Sequence, residues 1–305
     1  MILLATEKPF TKQTVDDIKD IIEKSGNKFK LLENYTDKKQ LLNAVSDIDA
    51  LIVRSDKVTK EIIAAAKNLK IVVRAGAGFD NIDLEAATKR GIVVMNTPGQ
   101  NSNAVAELVF GLLVFAVRNF YNGKTGTELK GKKLGLLAFG QVGRNVARIA
   151  KGFGMEIYSY DAFVPTKVIE EAGIHAVENQ EELFKKCDIV SLHIPATKET
   201  CQSINYELCS KMPKGAILVN TARKEVINEK ELLKLMEERP DFKYLTDLAP
   251  DANEEFKSKF EGRYFATPKK MGAQTEEANI NAGKAAANQI IDFLISGNTK
   301  FQVNK

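Results

Sequence analysis

Along the chain, short solid runs of apolar residues alternate with stretches whose apolar positions recur every three or four residues. Strands are predicted on such runs at residues 2–5, 29–32, 50–53, 71–73 and 92–95, and on a second, less uniformly apolar series at 134–137, 156–160, 189–193, 216–220, 244–246 and 264–266. A strand covered on both faces has no polar side, so it reads as such a run. Between the first runs, Val15, Ile18, Ile21 and Ile22 share one helical face, and Leu41, Leu42 and Val45 share another. Residues 62–66 and 84–87 fit two shorter helices. This rhythm predicts parallel sheets with helices on both faces. Thr97-Pro98-Gly99 interrupts it. Residues 104–117 are apolar nearly all round, which predicts a buried helix, and the polar stretch 122–133 predicts a surface connection. Asn228 is placed to cap a helix over 229–238, with Glu231 at capping-box spacing and Pro240 beyond its end. A last helix over 276–296 is expected to stop at Gly297. The expected fold class is α/β, with two doubly wound parallel-sheet domains: residues 1–99 with 277–305, and residues 100–276.

Composition narrows the function classes. The 305 residues are 44% apolar and 28% charged, a balance that supports two globular cores. Lys plus Arg is 44 against 40 for Asp plus Glu, a net charge of +4. So small and scattered an excess speaks against a nucleic-acid partner and suits a small anionic substrate. Cys187, Cys201 and Cys209 form no CxxC pair, so no disulfide framework or metal site is expected. The start, Met1-Ile2-Leu3-Leu4-Ala5-Thr6, has no basic leader and soon turns charged. No stretch holds 18 uninterrupted apolar residues, so no membrane partner is expected. A cytoplasmic protein is the expectation.

The strongest local signal spans Leu134 to Asp161, which reads strand, turn, helix, strand. The turn Ala138-Phe139-Gly140-Gln141-Val142-Gly143 matches GxGxxG with alanine at the first glycine. In that pattern the second glycine lets backbone approach a pyrophosphate, and the third lets the helix pack on the strand. Free N–H groups at the helix start then face the phosphates. Asp161 stands 21 residues after Gly140, where an acid accepts the ribose hydroxyls and repels a 2′-phosphate. NAD is the expected cofactor. Alanine at the first position costs energy if that residue needs a positive φ.

Longer stretches carry a resemblance. Val73-Arg74-Ala75-Gly76-Ala77-Gly78-Phe79-Asp80, Asn96-Thr97-Pro98-Gly99-Gln100-Asn101, Ser191-Leu192-His193-Ile194-Pro195 and Val219-Asn220-Thr221-Ala222-Arg223 are similar to segments of the D-2-hydroxyacid dehydrogenase family. Together with Val105-Ala106-Glu107-Leu108 they run from near residue 50 to the C-terminus, and short members acting on 3-phosphoglycerate are the nearest in pattern. The resemblance implies a Rossmann-type NAD-binding domain over 100–276 and a flavodoxin-like substrate domain from the remainder, with hydride transfer in the cleft between them. It places the arginine that holds the substrate carboxylate and polarises the 2-oxygen at Arg223. It makes Arg54 and Ser55 ligands for phosphate or carboxylate, Asn101 a polar substrate contact, and Arg74, Ala75 and Gly76 an anion-binding turn. His193, Pro195, Thr200, Thr221, Ala222, Asp247, Gly272 and Ala273 join Gly140, Gln141, Val142, Gly143 and Asp161 on the cofactor side. His175 is expected to be a plain strand-end residue.

Two departures from the family pattern matter. Its proton-transferring histidine, in a Pro-His-Leu-Gly-Ala-like segment, is replaced: the chain reads Pro268-Lys269-Lys270-Met271-Gly272-Ala273, which aligns Lys270 with the histidine and leaves Lys269 as a second candidate. The orienting glutamate is replaced by Ala252. Lys270 is therefore the expected acid/base. A lysine near 10.4 must be lowered to about 8 for this task, and partial burial and the charge of Arg223 are the expected causes. The reaction expected is NAD-dependent oxidation of 3-phosphoglycerate, with glyoxylate or hydroxypyruvate reduction and an NAD-sensing binding protein as alternatives. The buried helix suggests a homodimer. With the sequence read to Lys305, no regulatory domain and no feedback inhibition by serine are expected.

Overall fold

The computed structural model describes residues 1–304, and these divide into two compact units, residues 1–101 with 274–304 and residues 102–273. Each is built on one all-parallel sheet.

In the first unit the strands are β1 (Ile2–Thr6), β2 (Phe29–Glu33), β3 (Ala50–Val53), β4 (Ile71–Arg74) and β5 (Val93–Asn96), in the order β2-β1-β3-β4-β5. That is the flavodoxin-like order, with its switch point between β1 and β3. Alternating side chains fill opposite cores. Ile2, Leu4, Ile52 and Val73 meet the helices Lys12–Lys24 and Glu276–Ser296. Leu3, Leu51, Val53 and Val72 face Leu41, Ile62 and Ile63 on the other side. The last helix ends on Gly297 at φ 72, a left-handed cap that glycine accepts without strain. Beyond it, Gln302 makes an antiparallel bridge with Met95, and the Asn304 side chain accepts from Val94 N at 2.8 Å and donates to Ile92 O at 2.8 Å. The edge strand β5 is thereby covered rather than left with open backbone groups.

In the second unit β6 (Lys133–Leu137), β7 (Glu156–Tyr160), β8 (His175–Ala176), β9 (Ile189–Leu192), β10 (Ile217–Asn220), β11 (Lys243–Thr246) and β12 (Tyr264–Ala266) run in the order β12-β11-β10-β9-β6-β7-β8. The order contains the Rossmann pattern, and its switch point lies between β6 and β9. The two-residue β8 has no run of its own in the sequence; it exists because it pairs with Tyr158 and Ser159 at the sheet edge. His175 lies in it, exposed.

The apolar helix forms over Ser102–Val117, and ten of its residues are buried. Seven of them, Ala106, Val109, Phe110, Leu112, Leu113, Ala116 and Val117, share one core with the helix Gln141–Gly152 and the sheet. Asn228 caps the helix Glu229–Glu238, accepting from Glu231 N at 3.2 Å. The capping box does not close: the Glu231 carboxylate accepts from Tyr206 N at 2.9 Å instead.

Candidate active site

The dinucleotide loop leaves β6 through Ala138, whose φ is 85. The first position of the pattern does need a left-handed conformation here, and alanine occupies it under strain. Replacing Ala138 by glycine is expected to stabilise the protein by about 1 kcal/mol, the strain relieved less the entropy glycine adds to the unfolded chain. Calorimetry would show a Tm raised by about 2–4 °C; an unchanged or lower Tm would deny the strain.

The two glycines that are present have different physical duties. A Cβ on Gly143 would stand 2.4 Å from the Ala138 carbonyl oxygen, so only glycine lets this helix approach its strand. A Cβ on Gly140 would meet nothing within 4 Å, and Gly140, as N-cap, forms no side-chain cap. The start of the helix Gln141–Gly152 is open, and the N–H groups of Gln141, Val142 and Gly143 precede its first intrahelical bond, Arg144 N to Gly140 O. Asp161 fixes this loop: one carboxylate oxygen accepts from Phe139 N at 2.7 Å, the other from Phe163 N and Val164 N at 2.8 and 3.0 Å. Near the switch point three enclosed polar atoms have no protein partner, the Ser191 hydroxyl, His193 Nε2 and the Thr221 hydroxyl. An open helix start, a cradle that any Cβ would narrow and unpartnered polar atoms at the strand ends fit a dinucleotide. Thr200 closes the loop after β9 by donating its hydroxyl to Pro195 O at 2.5 Å.

Burial pushes the His193 imidazole down to about 4. Unfolded, the same group titrates near 6.5, so the unfolded chain binds a proton that the folded one refuses. The resulting stability is complete above pH 6.5 and is lost as pH falls toward 4. We expect about 3 kcal/mol to disappear across that window. Urea unfolding of the wild type and of His193→Gln at pH 7, 5.5 and 4 would test it; parallel pH dependences would contradict it.

The C-terminal ends of β10, β11 and β12 are joined in sequence. Asp247 N donates to Asn220 O at 3.0 Å, and Thr267 N donates to Thr246 O at 3.0 Å. After β10, the buried Asn220 side chain holds the turn, accepting from Ala222 N at 3.0 Å and donating to Arg223 O at 2.8 Å. Arg223 is half-buried, and its guanidinium donates to Ala222 O at 2.9 Å. After β11, the Asp247 carboxylate, 1% exposed, accepts from the Thr267 hydroxyl at 3.0 Å, Met271 N at 2.7 Å and Gly272 N at 2.8 Å. It pins both ends of the segment that carries Lys269 and Lys270. Gly272 must be glycine for this, since a Cβ would stand 2.8 Å from Asp247 Oδ2 and 3.2 Å from Val105 Cγ2. That Asn220 and Asp247 act as clamps could not be read from sequence, because side chains that bind loop backbone leave no periodic trace.

Lys270 is exposed within its unit. Ala252, at the glutamate position, is half-buried against a hydrophobic core, with its N–H donated to Glu229 at 2.8 Å.

In the first unit, the switch point is organised by a buried acid the sequence did not flag. Asp56, 1% exposed, accepts from Glu7 N at 2.6 Å, the Tyr35 hydroxyl at 2.7 Å and Arg54 N at 3.2 Å. Arg54 leaves β3 over the Phe10 ring and donates to Gln274 at 3.4 Å. Burial draws its pKa below the ordinary arginine value, with Asp56 opposing. Ser55 lies on a different wall, lining a cavity with Tyr35 and Ile62. The anion-binding turn needs correction. Ala75 N donates to Val53 O at 2.8 Å and Gly76 N to Arg74 O at 2.9 Å, so these N–H groups are already engaged. Arg74 folds back over Gly76, φ 147, and its Nε donates to Arg54 O at 2.8 Å. Asn101 stands half-buried just before the helix Ser102–Val117.

Fold and loop define a dinucleotide-binding α/β protein. Residues 115–262 match the NAD-binding domain of D-isomer-specific 2-hydroxyacid dehydrogenases. The chain is 40% identical over 272 residues to D-3-phosphoglycerate dehydrogenase of Methanocaldococcus jannaschii, covering 83% of this chain and 51% of that protein. It is 42% identical over 212 residues to hydroxypyruvate reductase of Thermotoga maritima, covering 65% of this chain and 68% of that protein. The solved NAD+-bound structure of 3-phosphoglycerate dehydrogenase of Entamoeba histolytica superposes with a TM-score of 0.88 at 50% identity, over 100% of this chain and 98% of that one. The chain belongs to the D-2-hydroxyacid dehydrogenase family, with the family's NAD-binding domain in its second unit. It spans about half the length of the Methanocaldococcus relative. Among the described residues no helix is long and apolar enough to cross a membrane.

Proposed function

We propose that this chain oxidises 3-phosphoglycerate at its 2-hydroxyl, giving 3-phosphohydroxypyruvate. Bound NAD supplies the hydride acceptor. Arg223 grips the substrate carboxylate and polarises the 2-oxygen with a forked pair of hydrogen bonds, for which guanidinium geometry is suited. As the C2 hydrogen leaves with its electron pair, the neutral Lys270 amine takes the hydroxyl proton and the carbon–oxygen double bond forms. Arg54 binds the phosphate, and Asn101 and Arg74 add polar contacts. Asp161 receives the adenine ribose, and Asp247 holds the lysine segment in place as well as serving the nicotinamide end.

The observation that carries this reading is the pairing on one sheet edge of a half-buried arginine with a lysine segment locked by a buried carboxylate. The resemblance to a hydroxypyruvate reductase supports a second reading, in which the substrate lacks the phosphate. A panel of 3-phosphoglycerate, D-glycerate and glycolate, each with NAD at alkaline pH, separates them by NADH absorbance. The proposed function requires the phosphorylated acid to have the highest kcat/KM, and Arg54→Ala to reduce that preference.

We extend the proposal to a homodimer working in the cytoplasm. What supports the dimer is an aromatic cluster of Phe115, Phe120, Tyr121 and Phe265, with Tyr121 66% exposed on a backbone of three consecutive left-handed residues, Asn119, Phe120 and Tyr121. Free Cys187, Cys201 and Cys209 suit a reducing compartment.

A further inference from the structure

At the carboxyl edge of the first unit, the loops after β1, β2 and β3 enclose a cavity of about 370 Å³. It lies beside the switch point of that sheet, where open α/β sheets receive ligands. Its floor is apolar, made by Leu41 and Ile62, which are almost fully buried, and by Tyr35. The floor is preformed. The Tyr35 hydroxyl is tied to Asp56 at 2.7 Å, so the ring is not free to collapse into the space.

Its walls carry Glu7, Lys38, Ser55, Lys57 and Thr59, and not all of them are matched within the protein. The Thr59 hydroxyl oxygen is enclosed and has no hydrogen-bond partner. Thr59 occupies an N-cap position, where a threonine ordinarily bonds the helix backbone, yet no cap bond forms. An enclosed hydroxyl without a partner is costly, and a bound acceptor or donor would relieve that cost. Lys38 is taken up by Glu61, whereas Lys57 enters no ion pair among the described residues. Ser55 adds a second hydroxyl. Glu7 also borders the cavity, and its charge disfavours a ligand carrying more than one negative group.

We propose that this cavity binds a compact molecule with an apolar body and a single carboxylate. The body rests on Leu41 and Ile62, and the carboxylate is held by Lys57 with the hydroxyls of Ser55 and Thr59. None of the residues assigned to hydride or proton transfer lines the cavity, so this site stands or falls separately from the proposed reaction.

Benzoate serves as the probe. Full-length protein carrying labelled isoleucine and leucine methyl groups would be titrated with benzoate and, separately, with the uncharged benzamide. We expect saturable shifts of the Ile62 and Leu41 methyl resonances with benzoate. Binding should weaken at least fivefold with benzamide, and also in Lys57→Met. Absence of saturable shifts at those two methyls would overturn the proposal, as would equal affinity for benzoate and benzamide in the wild-type protein. The benzamide comparison needs no variant, so the result does not depend on how Lys57→Met folds.

Discussion

Replacing Arg223 by alanine is expected to lower kcat/KM for the 2-hydroxy acid by about 10²–10⁴, while the affinity for NAD stays within about threefold. Truncating one partner of a desolvated, hydrogen-bonded charge pair costs about 2–5 kcal/mol, which corresponds to that range. The substrate carboxylate would be left without its fork, and the 2-oxygen without the positive charge that favours its conversion to a carbonyl. Arg223→Lys retains the charge on a single rotatable amine and loses the planar fork, so it should recover only part of the loss, about tenfold. Asn220 provides an internal control. It bonds the turn on both sides of Ala222 and touches Arg223 only at the backbone oxygen. Asn220→Ala should therefore raise KM and lower kcat by less than the arginine truncation. Steady-state kinetics with calorimetric titration of NAD would check all three. An Arg223→Ala enzyme within threefold of wild type would remove Arg223 from the chemistry.

Replacing Lys270 by alanine has the second large effect. General base catalysis by a positioned side chain contributes about 10²–10⁴-fold, and kcat for oxidation should fall by that factor. The pH profile should change shape as well. With lysine present, oxidation accelerates as the amine loses its proton, so the rate rises with pH and then levels. Without it, the rise has no amine to report and the residual rate should follow hydroxide alone. Lys269→Ala, one residue away in the same loop, should leave both rate and profile nearly unchanged. The reverse outcome would exchange the roles of the two lysines.

Much of the scaffold was readable before any coordinates, for a physical reason. Strands buried on both faces read as apolar runs, as β1, β3, β9 and β10 do, because the parallel sheets in both units are covered by helices. The strand that left no mark, β8, has only two residues and exists through pairing at an edge. The dinucleotide loop was legible because its small residues answer to local geometry: Gly143 to a carbonyl oxygen that a Cβ would meet at 2.4 Å, and position 138 to a positive φ. What pattern could not show was how polar side chains are consumed. Asp56 gathers two donors from loops distant in sequence and one from its own turn, and Asp247 gathers three from one loop. The N–H groups of Ala75 and Gly76 looked available in a glycine-rich turn and are bonded to Val53 O and Arg74 O. Most of these depend on contacts between separate segments of the chain, and periodicity carries no record of them.

Chemical rescue addresses the amine directly. Turnover of Lys270→Ala with 3-phosphoglycerate and NAD would be followed while small primary amines of graded basicity are added to the assay. A rate that climbs in proportion to the concentration of unprotonated amine, and more steeply for stronger bases, is what a lysine proton acceptor requires. A Lys270→Ala enzyme as fast as wild type before any amine is added, or one that no amine accelerates, would contradict it.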